Sequence, residues 1–325
     1  MQVHYGFESY KNIKNPIVTV GTFDGVHFGH QKIIQRLQKI AKKNNGESIL
    51  LTFDPHPRKV LLNDQGLKLI HTINEKINIL ENLGLDHLVI YPFTIEFSKF
   101  SAKRYIDELL IQKLGTHTLV IGYDHHFGND REGNIDLLKK HEKSNPFYLE
   151  EIKAHEIEEI KISSTKVRSA IEKGNIHLVN DYCGHFYEFS GEVVHGKGIG
   201  KTIGTPTANI KLNSNEKIIP FDGVYAVVCQ IKDSNYKGIM NIGFKPTVDE
   251  GQKRTVEIHL FNYEKDIYGQ DLRTKVIERI RDEVKFNSLK DLKSQILKDN
   301  EKAKKILGSF WLNYNLLVRH HWDLK

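Results

Sequence analysis

The stretch Gly21–His30, GTFDGVHFGH, brings three glycines and two histidines into one short segment. Glycines let backbone N–H groups approach phosphate oxygens closely. A helix opening at its end would turn a partial positive charge towards them. His27 and His30 lie three residues apart, so both imidazoles can face one way from a first helical turn. There they can donate hydrogen bonds to charge growing on an α-phosphate and a leaving pyrophosphate during in-line attack. Such a transfer needs positioning and charge stabilisation rather than a protein nucleophile. The plain alternative is a glycine-rich turn with incidental histidines. A strand before the segment and a helix after it favour the chemical reading.

A second constellation follows in VVHGKGIGKTIGTPTAN, which ends at Asn209. Gly200-Lys201-Thr202 looks like the end of a phosphate-binding P-loop. The glycine that such a loop requires five positions earlier is replaced by His195, and Gly204 and Pro206 stand where a helix should begin. The P-loop reading therefore fails. A loop between strands, in which Gly196, Gly198, Gly200 and Lys201 cover phosphates, is the expectation instead. Thr207 and Asn209 next to it supply a hydroxyl and a carbonyl oxygen, hard donors of the kind Mg²⁺ takes beside substrate phosphates. In Val256-Glu257-Ile258-His259-Leu260, strand alternation sets Glu257 and His259 on one face, opposite three apolar residues. A carboxylate near a primary alcohol can accept its proton as attack on a γ-phosphate begins. The ordinary fate of such a glutamate is a solvated face.

The elements that must position these groups fall into two classes. In the first half, apolar runs at Pro16 to Val20, Ser48 to Phe53, His87 to Tyr91 and 117–121 read as strands. Residues 30–43, 75–83 and 101–113 carry helical periodicity between them. Strand–helix alternation predicts a parallel, doubly wound α/β domain, whose ligands bind beyond the carboxyl ends of the strands. Gly21, Phe53 and Gly122 all lie at such ends. Two short helices are expected near 164–173 and 175–182. From 186 onward six strand-like runs follow (186–195, 207–212, 223–232, 236–243, 254–261 and 272–280), predicting a six-stranded antiparallel β-barrel. A C-terminal helix is expected from Ser288 to Leu307. The expected domains are 1–183 and 184–308, with an aromatic-rich tail at 309–325 that has no functional account.

Composition narrows the class. With 325 residues, 39% hydrophobic and 27% charged, the chain has the make-up of a globular protein of two domains. A formal charge of +6 suits anionic small substrates, and no dense basic stripe interleaved with aromatics points to nucleic acid. Two cysteines, Cys183 and Cys229, and no Cys-x-x-Cys argue against structural zinc and a disulfide framework. No secretory signal and no membrane-length apolar run is seen, so a cytoplasmic location is expected, without a membrane partner. Oligomeric state is not readable.

In order along the chain, these motifs resemble the bifunctional bacterial riboflavin kinase/FAD synthetase family. The His27-x-Gly29-His30 segment is similar to the signature of its FAD synthetase domain, shared with a wider nucleotidyltransferase superfamily. That resemblance implies a Rossmann-like domain in which Gly21, Phe23, Asp24, Gly25 and Gly29 contact nucleotide while His27 and His30 are catalytic. It implies that Asp54-Pro55-His56-Pro57 helps hold flavin and that Asp124 faces nucleotide. Ser163-Ser164-Thr165-Lys166-Val167-Arg168 resembles a family motif in which the serines bind nucleotide and the position of Arg168 reaches ATP phosphates; capping of a helix by Ser163 or Ser164 is the structural alternative. Pro206-Thr207-Ala208-Asn209 matches the riboflavin kinase motif that holds Mg-ATP, and Glu257 matches the family's base towards the ribityl 5′-hydroxyl. Asp222 in Asp222-Gly223-Val224-Tyr225, and Arg281, match positions at the flavin pocket.

The resemblance spans roughly 15–305 and implies phosphorylation of riboflavin to FMN, then adenylation of FMN to FAD. ATP, riboflavin and FMN are the implied small-molecule partners, with Mg²⁺ accompanying ATP. Thr205, Lys201 and Cys183-Gly184-His185 depart from the family's usual residues and leave Thr207, Asn209 and Glu257 in place. Two rival readings are an adenylyltransferase for another acceptor, such as a nicotinate or pantetheine phosphate, and a non-catalytic flavin or nucleic-acid binder. The complete kinase motif set argues against the first. Intact His27, His30 and Glu257 argue against the second.

Overall fold

The computed structural model describes residues 1–11, 13–64, 66–123, 125–143, 147–153, 162–196, 204–246 and 252–308. The chain divides into two compact units, Met1–Ser163 and Ser164–Lys325.

The first unit is built on a six-stranded parallel sheet in the order β1-β4-β3-β2-β5-β6. Its strands are β1 (Gln2–Tyr5), β2 (Pro16–Val20), β3 (Glu47–Phe53), β4 (His87–Tyr91), β5 (Thr118–Gly122) and β6 (Tyr148–Ile152). Alternation along the central strands feeds two cores on opposite faces. Val18, Val20, Ile49 and Leu51 meet Ile106, Leu109 and Leu110 on one side. Ile17, Leu50 and Leu88 meet Ile34, Leu37 and Ala41 of helix α1 (Phe28–Lys43) on the other. Burial on both faces is why these strands read as continuous apolar runs.

The two edge strands escaped the sequence reading. β1 and β6 are short and mostly unburied, as edge strands commonly are, and their sequences QVHY and YLEEI lack a clean apolar alternation. The helix expected over 101–113 opens as Ala102–Arg104 and continues as a wider π-wound stretch, Tyr105–Lys113.

The chain runs from β2 towards β3 on one side, while β5 lies on β2's other side. This reversal makes the crevice beyond β2 and β5 the switch point at which such sheets bind ligands.

The second unit opens with helices Ser164–Glu172 and Ile176–Cys183. Asn180 fastens the second of these to the sheet behind it. Its side-chain amide donates to the carbonyls of Val276 and Ile277, and its oxygen accepts from the Tyr187 amide at 2.7 Å. A closed barrel follows in the order β10-β11-β8-β7-β12-β9. Its strands are β7 (Tyr187–Val194), β8 (Ala208–Leu212), β9 (Gly223–Ile231), β10 (Ser234–Pro246), β11 (Gln252–Leu260) and β12 (Asp271–Arg281). The helix Leu289–Gly308 lies on the barrel's outer face, where Ala303 and Leu307 join Val224, Ala226, Val228 and Ile239. Among the described residues no helix is long and apolar enough to cross a membrane.

Candidate active sites

The first constellation sits where β2 hands over to α1. Gly21 leaves the sheet with its amide still bonded to the Leu51 carbonyl at 3.0 Å. The turn that follows is tight: Phe23, Gly25 and Val26 all have positive φ, at 45°, 92° and 38°. Left-handed backbone is uncommon outside glycine and unfavourable for a β-branched valine, and such residues cluster at ligand sites. Gln31 steadies the turn by donating to the Val26 carbonyl at 2.8 Å.

His27 is the N-cap of α1, yet its side chain makes no capping bond, and no acidic residue occupies the first helical turn. The positive end of the helix is therefore met by no acidic side chain from its own first turn. His27 and His30 stack with ring centroids 3.8 Å apart, and His30 stacks on Phe23 at 4.6 Å. Gly29 leaves room for this, since a Cβ there would lie 3.2 Å from His27 Cε1. Nδ1 of each imidazole is buried and has no hydrogen-bond partner among the described residues. Burial lowers the His27 pKa to about 4, against a smaller opposing pull from Asp24. His30 lies well below the usual histidine range through burial, then through the charges of His27 and Lys76. Both rings are neutral near pH 7.

The other expected residues of this site are placed as follows. Asp24 is buried, and its carboxylate accepts from the backbone amides of Ile70 and His71. Asp54 and Pro55 follow β3, and His56 caps the short helix Pro57–Leu61, its Nδ1 accepting from the Arg58 amide at 3.2 Å. Ser163 closes the first unit, while Ser164 and Arg168 stand on the first helix of the second. Asp124 lies outside the described residues.

The second constellation is set by barrel register. Asn209 on β8 is the cross-strand partner of Glu257 on β11 and of Val194 on β7. Thr207, two residues before Asn209, shares that face and donates its hydroxyl to Glu257 Oε2 at 3.1 Å. Gly196 presses on Asn209: a Cβ there would fall 1.9 Å from the Asn209 amide nitrogen. Hydroxyl, carboxamide and carboxylate oxygens thus converge, which is the donor chemistry that Mg²⁺ accepts. Among the described residues no group of three or more His, Cys, Asp or Glu could hold a metal. Gly198, Gly200 and Lys201 lie outside the described residues.

Two cavities flank these oxygens. One, of about 290 Å³, lies between the outer barrel face and the helix Leu289–Gly308 and is lined by Thr207, Asn241, Glu257, Arg281, Phe286 and Asp299 among others. The other, of about 370 Å³, is lined by Thr207, Ala208, Ile258, Lys265 and Tyr268 among others. Thr207 borders both. Arg281 reaches the first cavity, held by a two-pronged contact to buried Asp299, with Nη2 to Oδ2 at 2.8 Å. Asp222 is engaged elsewhere, accepting from Arg254 Nε at 2.6 Å. Asn241, in a segment that resembles the family's Asn-Ile-Gly-x-x-Pro-Thr motif, faces both Glu257 and Val224 across the strands. Asp299 was read only as part of a helix, and nothing local marks it as the partner of Arg281.

Comparison with known proteins gives a consistent picture across both units. The FAD synthetase family matches residues 9–166, and the riboflavin kinase family matches residues 183–307. A bifunctional riboflavin kinase/FMN adenylyltransferase of Buchnera aphidicola is 39% identical over 310 residues, covering 94% of this chain and 98% of the relative. The protein of the same description from Escherichia coli is 35% identical and covers 90% and 93%; that from Bacillus subtilis is 37% identical and covers 88% and 91%. Among solved structures, a macrolide-efflux protein from Streptococcus pneumoniae superposes with a TM-score of 0.83 at 30% identity, over 93% of this chain and 98% of that one.

Proposed function

Because the chain belongs to the bifunctional riboflavin kinase/FMN adenylyltransferase family, we propose a residue-level division of its two reactions between the two constellations. The C-terminal domain phosphorylates riboflavin to FMN, and the N-terminal domain adenylates FMN to FAD with release of pyrophosphate. We place the boundary of the two catalytic domains at residue 183, where the riboflavin kinase match begins.

In the N-terminal domain a phosphate oxygen of FMN attacks the α-phosphorus of ATP, and the bond to pyrophosphate breaks. His27 and His30, both neutral, act as hydrogen-bond donors to the phosphates. The open first turn of α1 adds its amides to the same anionic groups. Gly21, Phe23 and Gly25 shape the turn that sets them. Arg168 is assigned to the ATP phosphates, and Asp54 to Pro57 to the flavin, on the family resemblance.

In the C-terminal domain the ribityl 5′-hydroxyl attacks the γ-phosphorus and ADP leaves. Glu257 takes the hydroxyl proton. Riboflavin occupies the cavity under the helix Leu289–Gly308, with Arg281 in its wall, and ATP occupies the cavity lined by Tyr268. Transfer then takes place at Thr207, which borders both. Thr207 and Asn209 would hold Mg²⁺, which when bound neutralises charge on the transferred phosphoryl group.

The observation that carries this division is that the imidazole pair and the oxygen cluster lie in different compact units. Its test is product analysis from riboflavin and Mg-ATP. The wild type should yield FAD, His30→Ala should stop at FMN, and Glu257→Gln should make FAD only when given FMN. If either substitution abolished both reactions in a folded protein, the division would fall.

A further inference from the structure

A buried lysine lies behind the imidazole pair, in a place that neither motif accounts for. Lys76 is 5% exposed. Its ammonium donates to the Thr22 carbonyl at 2.6 Å and to the Thr52 hydroxyl at 3.4 Å. Thr52 in turn donates to the same Thr22 carbonyl at 3.1 Å, which closes a three-way contact. Thr22 belongs to the turn before His27, and Thr52 stands near the end of β3, ahead of Asp54. One ammonium therefore ties the loop that carries the imidazoles to the strand that leads into the other expected ligand loop.

The position of Lys76 is itself built from this turn. Asp24 takes the amides of Ile70 and His71, which draws segment 70–71 against the loop. Thr72 then caps the helix Ile73–Asn82 reciprocally with Glu75, and Lys76 is the next residue. The turn is held on one side through Asp24 and on the other through the Thr22 carbonyl, both by the same helix start. Burying an ammonium is costly unless it is compensated, and methionine, with a stem of similar length, would fill the space without that cost. The charge is kept where its field reaches His30. Burial lowers the Lys76 pKa, opposed by Asp24 and Asp54.

We infer that Lys76 is a positioning residue for adenylyl transfer: it fixes the turn before His27 and sets its ammonium where its charge bears on His30, so that both rings meet the phosphates correctly placed. Among the described residues, the charged and titratable groups that act on this cluster include His27 and His30 from α1, Asp24 and Asp54 from the two loops, and Lys76 from the helix Ile73–Asn82. Asp24 favours the protonated form of His27, and Lys76 opposes protonation of His30. The inference rests on His27 and His30 carrying the adenylyl transfer.

The test measures FAD formation from FMN and Mg-ATP against pH for the full-length wild type, Lys76→Met, Lys76→Arg, Thr52→Val and His30→Ala. Lys76→Met should lower kcat by about 10²-fold, the scale of an ångström's misplacement. KM for ATP should change less, and the acidic limb of the profile should move to higher pH because a repelling charge is gone. Lys76→Arg should keep that limb in place and recover part of kcat. Thr52→Val should lower kcat several-fold without moving the limb, because it loosens the turn and spares the charge. A Lys76→Met enzyme within threefold of wild type, with an unmoved limb, overturns the inference. If Lys76→Met does not fold, wild-type behaviour in both Lys76→Arg and Thr52→Val overturns it instead. An inactive His30→Ala beside an unaffected Lys76→Met rejects only Lys76, whereas an unaffected His30→Ala rejects the site assignment beneath it.

Discussion

At the first constellation stand two stacked imidazoles stripped of charge by burial, on a turn with three left-handed residues. At the second stand a hydroxyl, a carboxamide and a carboxylate set by barrel register on a half-open face. Under the proposed division both handle ATP, and the difference follows the bond each would break. Attack at the α-phosphorus by a phosphate oxygen needs no base, because that nucleophile is already an anion. The protein supplies neutral donors and a helix terminus. Attack at the γ-phosphorus by an alcohol must dispose of a proton, so a carboxylate stands beside the oxygen donors. The comparison shows how one nucleotide is cleaved in two ways by changing which partner arrives charged.

The sharpest way to break the contrast is Glu257→Gln. Removing a general base costs typically 10²–10⁴-fold, so riboflavin phosphorylation should fall by that factor while adenylation of supplied FMN stays at the wild-type rate, read by separating the flavins. A loss of less than tenfold would leave the barrel without its base. Next in size is His30→Ala, expected to lower FAD formation by about 10²–10³-fold, as for one lost transition-state donor, with phosphorylation spared.

A smaller effect tests whether register alone sets the second site. Gly196→Ala places a methyl where the Asn209 carboxamide now sits. The amide must turn away, so KM for ATP in the kinase reaction should rise about tenfold, worth roughly 1.4 kcal/mol. The unfolding midpoint should barely move, since the clash is with the end of one side chain. An unchanged KM would detach Asn209 from nucleotide binding.

The last prediction concerns stability. The folded chain resists protonating His27 down to about pH 4, while the unfolded chain protonates near its ordinary 6.5. Above 6.5 both states hold the neutral ring and nothing is lost. Below it only the unfolded state binds the proton, so stability falls as pH drops to about 4, by roughly 3 kcal/mol in all. Urea unfolding at pH 7 and pH 4.5, followed by a probe in the first unit, should show this decline, and His27→Asn should make it shallower, leaving the part that His30 contributes. A parallel decline in that variant would place the acid sensitivity elsewhere.

Much of this was legible in the chain because local pattern and global role agree there. The central strands announced themselves by double-sided burial, and the six barrel runs by short alternating stretches between turn residues. His27 and His30 stood out by their spacing in a glycine-rich turn, and Thr207, Asn209 and Glu257 because their segments resemble those of a known kinase family. What stayed hidden depends on pairing across long separations. β1 and β6 are polar edge strands whose identity comes from their neighbours. Asp299 gains its place only when the last helix folds back on Arg281. Lys76 looked like one more surface lysine of an amphipathic helix. Its burial follows from Asp24 gripping residues 46 and 47 positions further along the chain.

The helix Leu289–Gly308 supplies Leu292, Ile296 and Asp299 to the cavity assigned to riboflavin, and these residues leave the ribosome late. Domains fold as units, the N-terminal one first during synthesis. On the proposed assignment the riboflavin cavity is completed only when translation has passed that helix.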